Sequence, residues 1–290
     1  MIVSELSGGL GNQMFQIAAA FALSRDLNAD LKVDLRMMRS SPRVYALGCF
    51  QTEFIEAKLE GYLLRNIRSY RSKIRHVLTT NPFCKRINLF EEKGAFVFDD
   101  RIRKQKGDIY LRGYYQTEKY FSHHAGEIRK LFTFRHESNG SNATFLKLIQ
   151  EGQSVFVHIR RGDYVSNPIF NQHHGTCDLN YYQSAFELIS ERVRGATFFV
   201  FSDDLAWAKE NVSPPGHTVF VSGNDGDAAA FEDLRLMSHC KHGIIANSSF
   251  SWWGAWLMTN PVKTVIAPKV WLRDQSVPVK DLIPTNWIAI

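Results

Sequence analysis

Two arginines and an aspartate follow an apolar run in the segment SVFVHIRRGDYV, where His158, Arg160, Arg161 and Asp163 stand close together. The apolar run predicts a buried strand, and parallel α/β folds bind their ligands beyond the carboxyl ends of strands. Guanidinium groups bind phosphate through paired N–H donors. The alternative is an Arg–Asp salt bridge that closes the strand end, but the segment favours an anion site.

A second candidate site lies in HGIIANSSFSWWGAWL, at residues 242–257. A strand leads into Asn247 and three serines, which are good helix-capping residues, and then into a helix. Because both faces of that helix are apolar, we expect it to be buried, with its tryptophans in the core. Its N-terminus is the functional part, since the first N–H groups of a helix can bind a phosphate.

The segment SGGLGNQMFQIAAAFAL, at residues 7–23, predicts a strand, a glycine turn and a helix. Glycines let a backbone approach a ligand closely, and Asp34 stands where a dinucleotide-binding fold places its ribose-binding acid. However, Met14 replaces the third glycine of that fingerprint. A structural turn with Asn12 as the helix N-cap remains an equally good interpretation.

Paired acids follow two further strand-like runs, in FSDDLAWAK and GNDGDAAAF. Asp225 and Asp227 imitate the D-x-D by which many glycosyltransferases hold a metal-nucleotide. The sequence shows no neighbouring histidine or further carboxylate to complete a metal shell, so we predict no metal site there. We expect Ser202 or Asp203, and Asp225 or Asp227, to cap the helices that follow.

These segments require a scaffold of parallel strands that alternate with helices. The polar run HESNGSN at 136–142 is the predicted break, which gives an acceptor-side domain at 1–141 and a nucleotide-binding domain at 142–290. We therefore predict an α/β fold with two Rossmann-like domains facing a cleft. Strand-like runs lie at 2–6, 31–35, 108–115, 154–160, 197–203, 217–222, 242–247 and 263–268.

The composition is that of a globular protein: 290 residues, 44% hydrophobic and 22% charged. The net charge of +6 is concentrated at residues 58–106, which hold thirteen lysines and arginines against five acids. A solvated face explains such a stretch most simply; the other interpretations are an anionic membrane surface and a phosphate-bearing acceptor. We predict no nucleic-acid partner, because no binding module accompanies the charge.

We expect a soluble protein of the reducing cytoplasm. No run approaches the roughly 20 apolar residues of a membrane helix, and no export signal is recognised. Four cysteines lie far apart without C-x-x-C spacing, so neither disulfides nor a structural metal is predicted.

Taken in order, GGLGNQMFQ, HIRRGDYV, FSDD and ANSSFSWWGAWL resemble the four signature stretches of glycosyltransferase family 11, the α-1,2-fucosyltransferases. The resemblance spans residues 7 to about 257. It implies a GT-B-like fold and inverting transfer of L-fucose from GDP-β-L-fucose to the 2-hydroxyl of a terminal galactose. GDP-fucose is then the donor substrate, and no cofactor is required.

The resemblance also implies roles for individual residues. Arg160 matches the arginine that holds the β-phosphate in related fucosyltransferases, and Asp233 matches an acid that reads guanine. Asp163 is either the general base or a group that orients the arginines, because neighbouring guanidinium groups favour its charged form. The catalytic candidates are Arg160, Asp163 and His158, and the donor-binding candidates are Asn12, Arg161, Asp203, Asp233, Ser248, Ser249, Phe250 and Ser251.

The acceptor implied is a galactose-terminated glycan of an O-antigen-like repeat unit, lipid-linked at the inner face of the cell membrane. The basic stretch 58–106 would then face an anionic membrane or a lipid diphosphate. Three alternatives remain open. In the first, the chain would be a non-catalytic module that binds nucleotide sugars or glycans. In the second, it would be a metal-dependent transferase that uses Asp225 and Asp227. In the third, it would be a dehydrogenase that uses Asp34.

Overall fold

The protein is described by a computed structural model that covers residues 1–59, 62–65, 85–162 and 175–290, with the backbone alone at 62–65. These residues form two compact units, Met1–Thr133 and Phe134–Ile290. Asp163, and residues 60–61 and 66–84 of the basic stretch 58–106, lie outside the described residues.

Unit 1 is built on a parallel five-stranded sheet in the order β2-β1-β5-β4-β3. Its strands are β1 (Ile2–Glu5), β2 (Leu31–Asp34), β3 (Tyr62–Arg65), β4 (Lys85–Glu91) and β5 (Ile109–Arg112). Its helices are α1 (Leu10–Asp26), α2 (Arg36–Arg39) and α3 (Ala125–Leu131), with 3-10 helices at Leu47–Cys49, Asp100–Lys104, Glu118–Tyr120 and Ser122–His124. Most of α1 is buried, because its small and apolar residues allow close packing.

Unit 2 contains a parallel six-stranded sheet in the order β11-β10-β9-β6-β7-β8. Its strands are β6 (Gln153–Ile159), β7 (Ala196–Ser202), β8 (His217–Phe220), β9 (His242–Ile244), β10 (Val265–Ala267) and β11 (Ile288–Ala289). Its helices are α4 (Gly140–Glu151), α5 (Leu179–Arg192), α6 (Leu205–Asn211), α7 (Ala230–His239) and α8 (Ser249–Leu257).

Strand β6 is the centre of the unit 2 core. Its alternate residues Val155, Val157 and Ile159 are buried in one cluster with Phe186 and Ile189 of α5. Since side chains alternate across a strand, the intervening residues of β6 face the other side of the sheet. An apolar face of this size fixes the register of β6. The register in turn fixes where Arg160 and Arg161, which directly follow the strand, are placed.

The observed division of the units differs from the predicted one. The predicted boundary after residue 141 falls inside α4, whereas the units separate after Thr133. Arg235 of α7 explains the difference: its guanidinium lies 4.9 Å from the Phe134 ring and donates to the Ser138 hydroxyl at 3.0 Å. Residues 134–138 are therefore attached to unit 2, although their polar sequence is typical of a linker.

Each predicted strand run overlaps an observed strand, and the structure adds β3, β4 and β11. Strand β4 was missed because it begins with the charged residues Lys85 and Arg86, which do not predict a strand. Strand β11 was missed because it is only two residues long. Among the described helices, none has the length and apolar character needed to cross a membrane.

Candidate functional site

The predicted anion-binding segments meet at one edge of the unit 2 sheet. Strands β9, β6 and β7 are neighbours and run parallel, so their carboxyl ends lie side by side. Arg160 and Arg161 follow β6, Asp203 follows β7, and Ser248 lies beyond β9. The His158 and Phe250 rings are 5.8 Å apart, which joins the arginine segment to the start of α8.

Asp203 holds both arginine positions. Its Oδ2 atom lies 2.9 Å from Nη1 of Arg160, and its Oδ1 accepts the backbone N–H of Arg161 at 2.8 Å. A Cβ on Gly162 would lie 2.7 Å from the same carboxylate, so a larger residue would disturb the arrangement. The Arg160 side chain keeps 26% of its surface exposed. Asp203 therefore fixes the guanidinium and leaves part of it accessible to a ligand.

Asp204 caps the helix after β7, contrary to the prediction of Ser202 or Asp203. Its carboxylate accepts the Trp207 N–H at 3.2 Å, which satisfies a first-turn donor of α6. Arg161 lies over the Trp207 ring, with its guanidinium carbon 3.7 Å from the ring centroid, and its Nε is 3.5 Å from Asp204. Arg161 is thus held by a cation–π contact and an ion pair, while Asp203 remains bound to Arg160.

His158 is a neutral residue at ordinary pH. Its burial lowers the pKa to about 4; the positive charge of Arg160 acts in the same direction and the charge of Asp203 in the opposite one. The side chain is buried, and its Nδ1 atom finds no hydrogen-bond partner among the described residues. A neutral imidazole offers a hydrogen bond at this edge but adds no positive charge.

The serines at the start of α8 have different surroundings. Ser248 is the N-cap, and its hydroxyl accepts the Phe250 N–H at 3.3 Å. Ser249 is the first residue of the helix and Phe250 is half-buried. Ser251 is fully buried, and its hydroxyl faces the backbone carbonyls of Ala246 and Ser248. The capped helix start has backbone N–H groups of the kind that can bind an anion, whereas the Ser251 hydroxyl supports the turn.

The rest of α8 is core, as predicted. Trp252 and Trp253 are fully buried, and Trp252 donates its indole N–H to the Leu282 carbonyl at 2.9 Å. This packing holds the helix start in place.

Asp233 lies in the first turn of α7 and is half-buried. Burial raises its pKa to about 7, although a hydrogen bond from the Asn224 amide at 2.7 Å acts in the opposite direction. Asn224 and Asn142 also exchange hydrogen bonds. The N-cap of α7 is Ala229, which makes no side-chain cap bond, so the prediction that Asp225 or Asp227 caps this helix is wrong.

The glycine turn of unit 1 is held by two buried glutamines that the sequence analysis missed. The Gln16 side chain accepts the Ser7 N–H at 3.0 Å, and that of Gln13 donates to the Gly8 carbonyl at 2.9 Å. Gly8 has φ +76°, and a Cβ there would lie 2.5 Å from the Asn12 amide, so only glycine fits. The two glutamines are three residues apart, which puts them on one face of α1. This spacing is the sequence signal that could have revealed their shared role.

Asn12 is not the N-cap of α1, contrary to one of the two interpretations. The cap is Gly9, and the helix already begins at Leu10. The Asn12 side-chain oxygen instead accepts a hydrogen bond from the Gln116 amide at 2.7 Å. Asn12 therefore links the glycine turn to the segment after β5.

Asp34 is committed to a structural network. It is buried, and its carboxylate accepts from Arg36 and from the Tyr110 hydroxyl, each at 2.6 Å. Burial alone would raise the pKa of Asp34, but these hydrogen bonds outweigh it and hold the pKa below its usual value. A carboxylate in this state does not have its oxygens free for a ribose, which argues against the dehydrogenase alternative.

A strained turn follows β5, and one half-buried glutamate stabilises it. Tyr115 has φ +55°, which is rare for a bulky residue. Oε2 of Glu92 accepts the N–H groups of Tyr114 at 3.0 Å and Tyr115 at 2.9 Å, and its Oε1 lies 3.1 Å from the Tyr120 hydroxyl. Burial raises the pKa of Glu92 to about 7 despite these hydrogen bonds. Strain of this kind persists only where the surroundings impose it.

Comparison with known proteins decides the family. The sequence pattern that defines glycosyl transferase family 11 matches residues 1–290. The chain belongs to this family. Family 11 membership agrees with the four ordered motifs, and it makes the protein a glycosyltransferase.

Two bacterial relatives match the chain over its whole length. An alpha-1,2-colitosyltransferase of Escherichia coli is 35% identical over 300 residues, covering 100% of this chain and 99% of that protein. The O-antigen biosynthesis glycosyltransferase WbnK of Escherichia coli is 31% identical and covers 99% of each chain. A galactoside 2-alpha-L-fucosyltransferase of Mus musculus is 27% identical over 89% of this chain and 64% of its own.

Solved fucosyltransferase structures share the fold. The alpha-1,6-fucosyltransferase NodZ, soaked with GDP-fucose, matches with a TM-score of 0.52 at 14% identity, covering 88% of this chain and 91% of its own. POFUT1 in complex with GDP-fucose matches with a TM-score of 0.53 at 13% identity, covering 91% and 97%. With the parallel sheets of both units, these matches confirm the predicted α/β, GT-B-like fold class.

The raised pKa of Glu92 predicts how stability changes with pH. The folded state retains a proton that the unfolded chain loses near pH 4.5, so Glu92 lowers the free energy of unfolding as pH rises from about 4.5 to 7. The full loss is up to about 3 kcal/mol. Glu92→Gln preserves the shape without the charge, so we expect its stability relative to wild type to rise across this interval.

Urea unfolding at a series of pH values measures this effect. Glu210→Gln, at an exposed position, serves as the matched control and should differ from wild type by a constant amount. A Glu92→Gln difference that does not change between pH 4.5 and 7.5 would contradict the assignment.

Proposed function

We propose that this family 11 enzyme transfers L-fucose from GDP-β-L-fucose to the 2-hydroxyl of a terminal β-galactose, with inversion at the transferred sugar. One observation carries the proposal: Asp203 fixes a partly exposed Arg160 guanidinium at the carboxyl end of β6, beside the capped start of α8. A preorganised cation and a helix N-terminus at one sheet edge suit a diphosphate leaving group.

The reaction requires stabilisation of the negative charge that develops on the departing GDP. As the bond between fucose and the β-phosphate lengthens, the sugar gains oxocarbenium character and the phosphate oxygens gain charge. Arg160 would bind that charge with the part of its guanidinium that the ion pair with Asp203 leaves accessible, and the N–H groups at the start of α8 would add their dipole. In this proposal these groups take the place of a metal ion.

Asp233 is the proposed reader of the guanine base. A carboxylate pairs with the N1–H and 2-amino donors of guanine, and Asn224 already holds Oδ1 of Asp233 at 2.7 Å, which fixes the carboxyl group. Its pKa of about 7 means that part of the population is protonated near neutrality. Donors from guanine favour the ionised form, so nucleotide binding would lower this pKa.

The general base must lie near the acceptor hydroxyl, on the face of fucose opposite GDP. Asp163 remains our candidate for the base, with the alternative that it orients the arginines. His158 is a poor base at neutral pH because its pKa is about 4. We assign it a hydrogen-bonding role beside Arg160.

We propose a lipid-linked O-antigen-like repeat unit as the acceptor, met at the cytoplasmic face of the membrane. The Escherichia coli relative named for O-antigen biosynthesis supports this assignment, as does the positive charge of residues 58–106.

A second candidate function is transfer of colitose, and the 35% identical colitosyltransferase favours it. Colitose is L-fucose without its 3-hydroxyl. A site that hydrogen-bonds a substrate hydroxyl rejects an analogue lacking it by about 10⁴–10⁵, whereas an apolar pocket discriminates only weakly against an added hydroxyl. The ratio of the two rates therefore separates the candidates.

Competing donor assays test the function directly. GDP release is measured from GDP-fucose and from GDP-colitose on a panel of β-galactosides with EDTA present, and product linkage is determined by NMR. We expect kcat/KM for GDP-fucose to exceed that for GDP-colitose by at least about 10⁴, with Fucα1-2Gal as product.

The other outcomes are equally informative. Faster transfer from GDP-colitose would establish the second candidate, and GDP-fucose binding without turnover on any galactoside would support a non-catalytic module. Activity abolished by EDTA and restored by Mg²⁺ or Mn²⁺ would contradict a charge-only mechanism at Arg160.

Arg160→Ala tests the residue that carries the proposal. Loss of one preorganised donor to a developing charge costs about 10²–10³ in rate, so we expect a decrease in kcat of that size with the fold retained. Circular dichroism and thermal unfolding report on the fold. Arg192→Ala, at an exposed position at the end of α5, should keep the wild-type rate. An Arg160→Ala enzyme with more than about a tenth of wild-type kcat is incompatible with the proposal.

A further inference from the structure

A cluster of metal-ligand residues lies in unit 1. Asp26 is the last residue of α1, and His123 and His124 belong to the 3-10 helix Ser122–His124. His124 Nε2 lies 2.8 Å from Asp26 Oδ1, and His123 Nε2 lies 3.1 Å from Asp26 Oδ2. These three side chains each present one ligand atom within 4.8 Å of the others.

The His124 ring faces a carboxylate at each nitrogen. Its Nδ1 lies 3.1 Å from Glu127 Oε1, opposite the contact between Nε2 and Asp26. A neutral imidazole has one N–H, so it can donate to only one of these carboxylates. The other contact would set a lone pair against an anion. A metal ion bound at that nitrogen would remove this repulsion.

Glu127 has the position of an outer-shell partner. Metal-bound histidines commonly donate their other N–H to a carboxylate, which fixes the ring orientation and makes the ligand nitrogen more basic. Glu127 is itself held by an ion pair with Arg25, one residue before Asp26. With the proton on Nδ1 directed to Glu127, the Nε2 lone pair of His124 points to the space that it shares with Asp26 and His123.

We propose that Asp26, His123 and His124 bind a divalent transition metal ion, of which zinc is the best match. Two imidazoles and a carboxylate are ligands that zinc accepts. Ligands at about 2.0–2.1 Å around tetrahedral zinc lie about 3.3 Å apart, and the nitrogen–oxygen separations here are 2.8–3.3 Å. A cavity of about 360 Å³, lined in part by Asp26 and His123, gives access to the site.

The bound ion would stabilise unit 1. It joins the end of α1 to the 3-10 helix, which lies about a hundred residues further along the chain. A ligand that binds only the folded state raises the unfolding temperature. The site takes no part in the donor chemistry proposed above, so chelation lowers thermal stability without slowing transfer at temperatures well below unfolding.

Isothermal titration calorimetry with Zn²⁺, after chelator treatment and dialysis, tests the site in the full-length protein. We expect one ion per chain and a rise in Tm of roughly 3–6 °C at 100-fold excess over Kd. Affinity should fall at least about 100-fold in His123→Ala/His124→Ala, and about 10–100-fold in Glu127→Gln. His217→Ala removes an exposed histidine of unit 2 and should bind as wild type does.

Three results would overturn the proposal. Absence of Zn²⁺ binding by the wild-type protein would leave Asp26, His123, His124 and Glu127 as a cluster of hydrogen-bonded side chains without a metal. Equal affinity in the wild type and the double variant would place the ion elsewhere. A Co²⁺ spectrum with visible bands but no thiolate charge-transfer band is expected, and a thiolate band would contradict this ligand set.

Discussion

The ion pair between Arg160 and Asp203 is the constraint on which the candidate site depends. A guanidinium at the end of a buried strand is useful to an anion only if its position is fixed before the anion arrives. Asp203 supplies that fixation from the neighbouring strand, through the side chain of Arg160 and the backbone of Arg161. The parallel register of β6 and β7, with Ile159 beside Ser202, sets the spacing of the pair. The core of unit 2 thereby determines the geometry of the charge.

Helices α6 and α8 support this arrangement, and neither of them uses the Asp203 carboxylate that holds the arginines. Asp204 accepts a backbone N–H of the first turn of α6, so Asp203 is not needed as a cap. The buried tryptophans of α8 hold its N-terminus at the sheet edge, next to a neutral His158. Because the imidazole adds no charge, the positive potential at this edge comes from the arginines and the helix dipole.

The local sequence pattern was enough to predict eight of the eleven described strands, the buried tryptophan helix and the arginines at a strand end. It could not predict which of two adjacent acids caps α6, since Asp203 and Asp204 have the same capping propensity and tertiary contacts decide between them. The strained turn at Tyr115 and the cluster of Asp26 with His123 were equally hidden, because each joins residues far apart in the sequence. Asp163 stays a prediction from sequence.

We propose above all that Arg160 binds the β-phosphate of the nucleotide. Calorimetric affinities of GDP and GMP for wild type and Arg160→Ala test it most directly, because GMP lacks that phosphate. A charged hydrogen bond contributes about 1.5–3 kcal/mol, so GDP affinity should fall about 10–150-fold while GMP affinity changes less than about 3-fold. Equal losses for the two nucleotides, or no loss for GDP, would contradict the account.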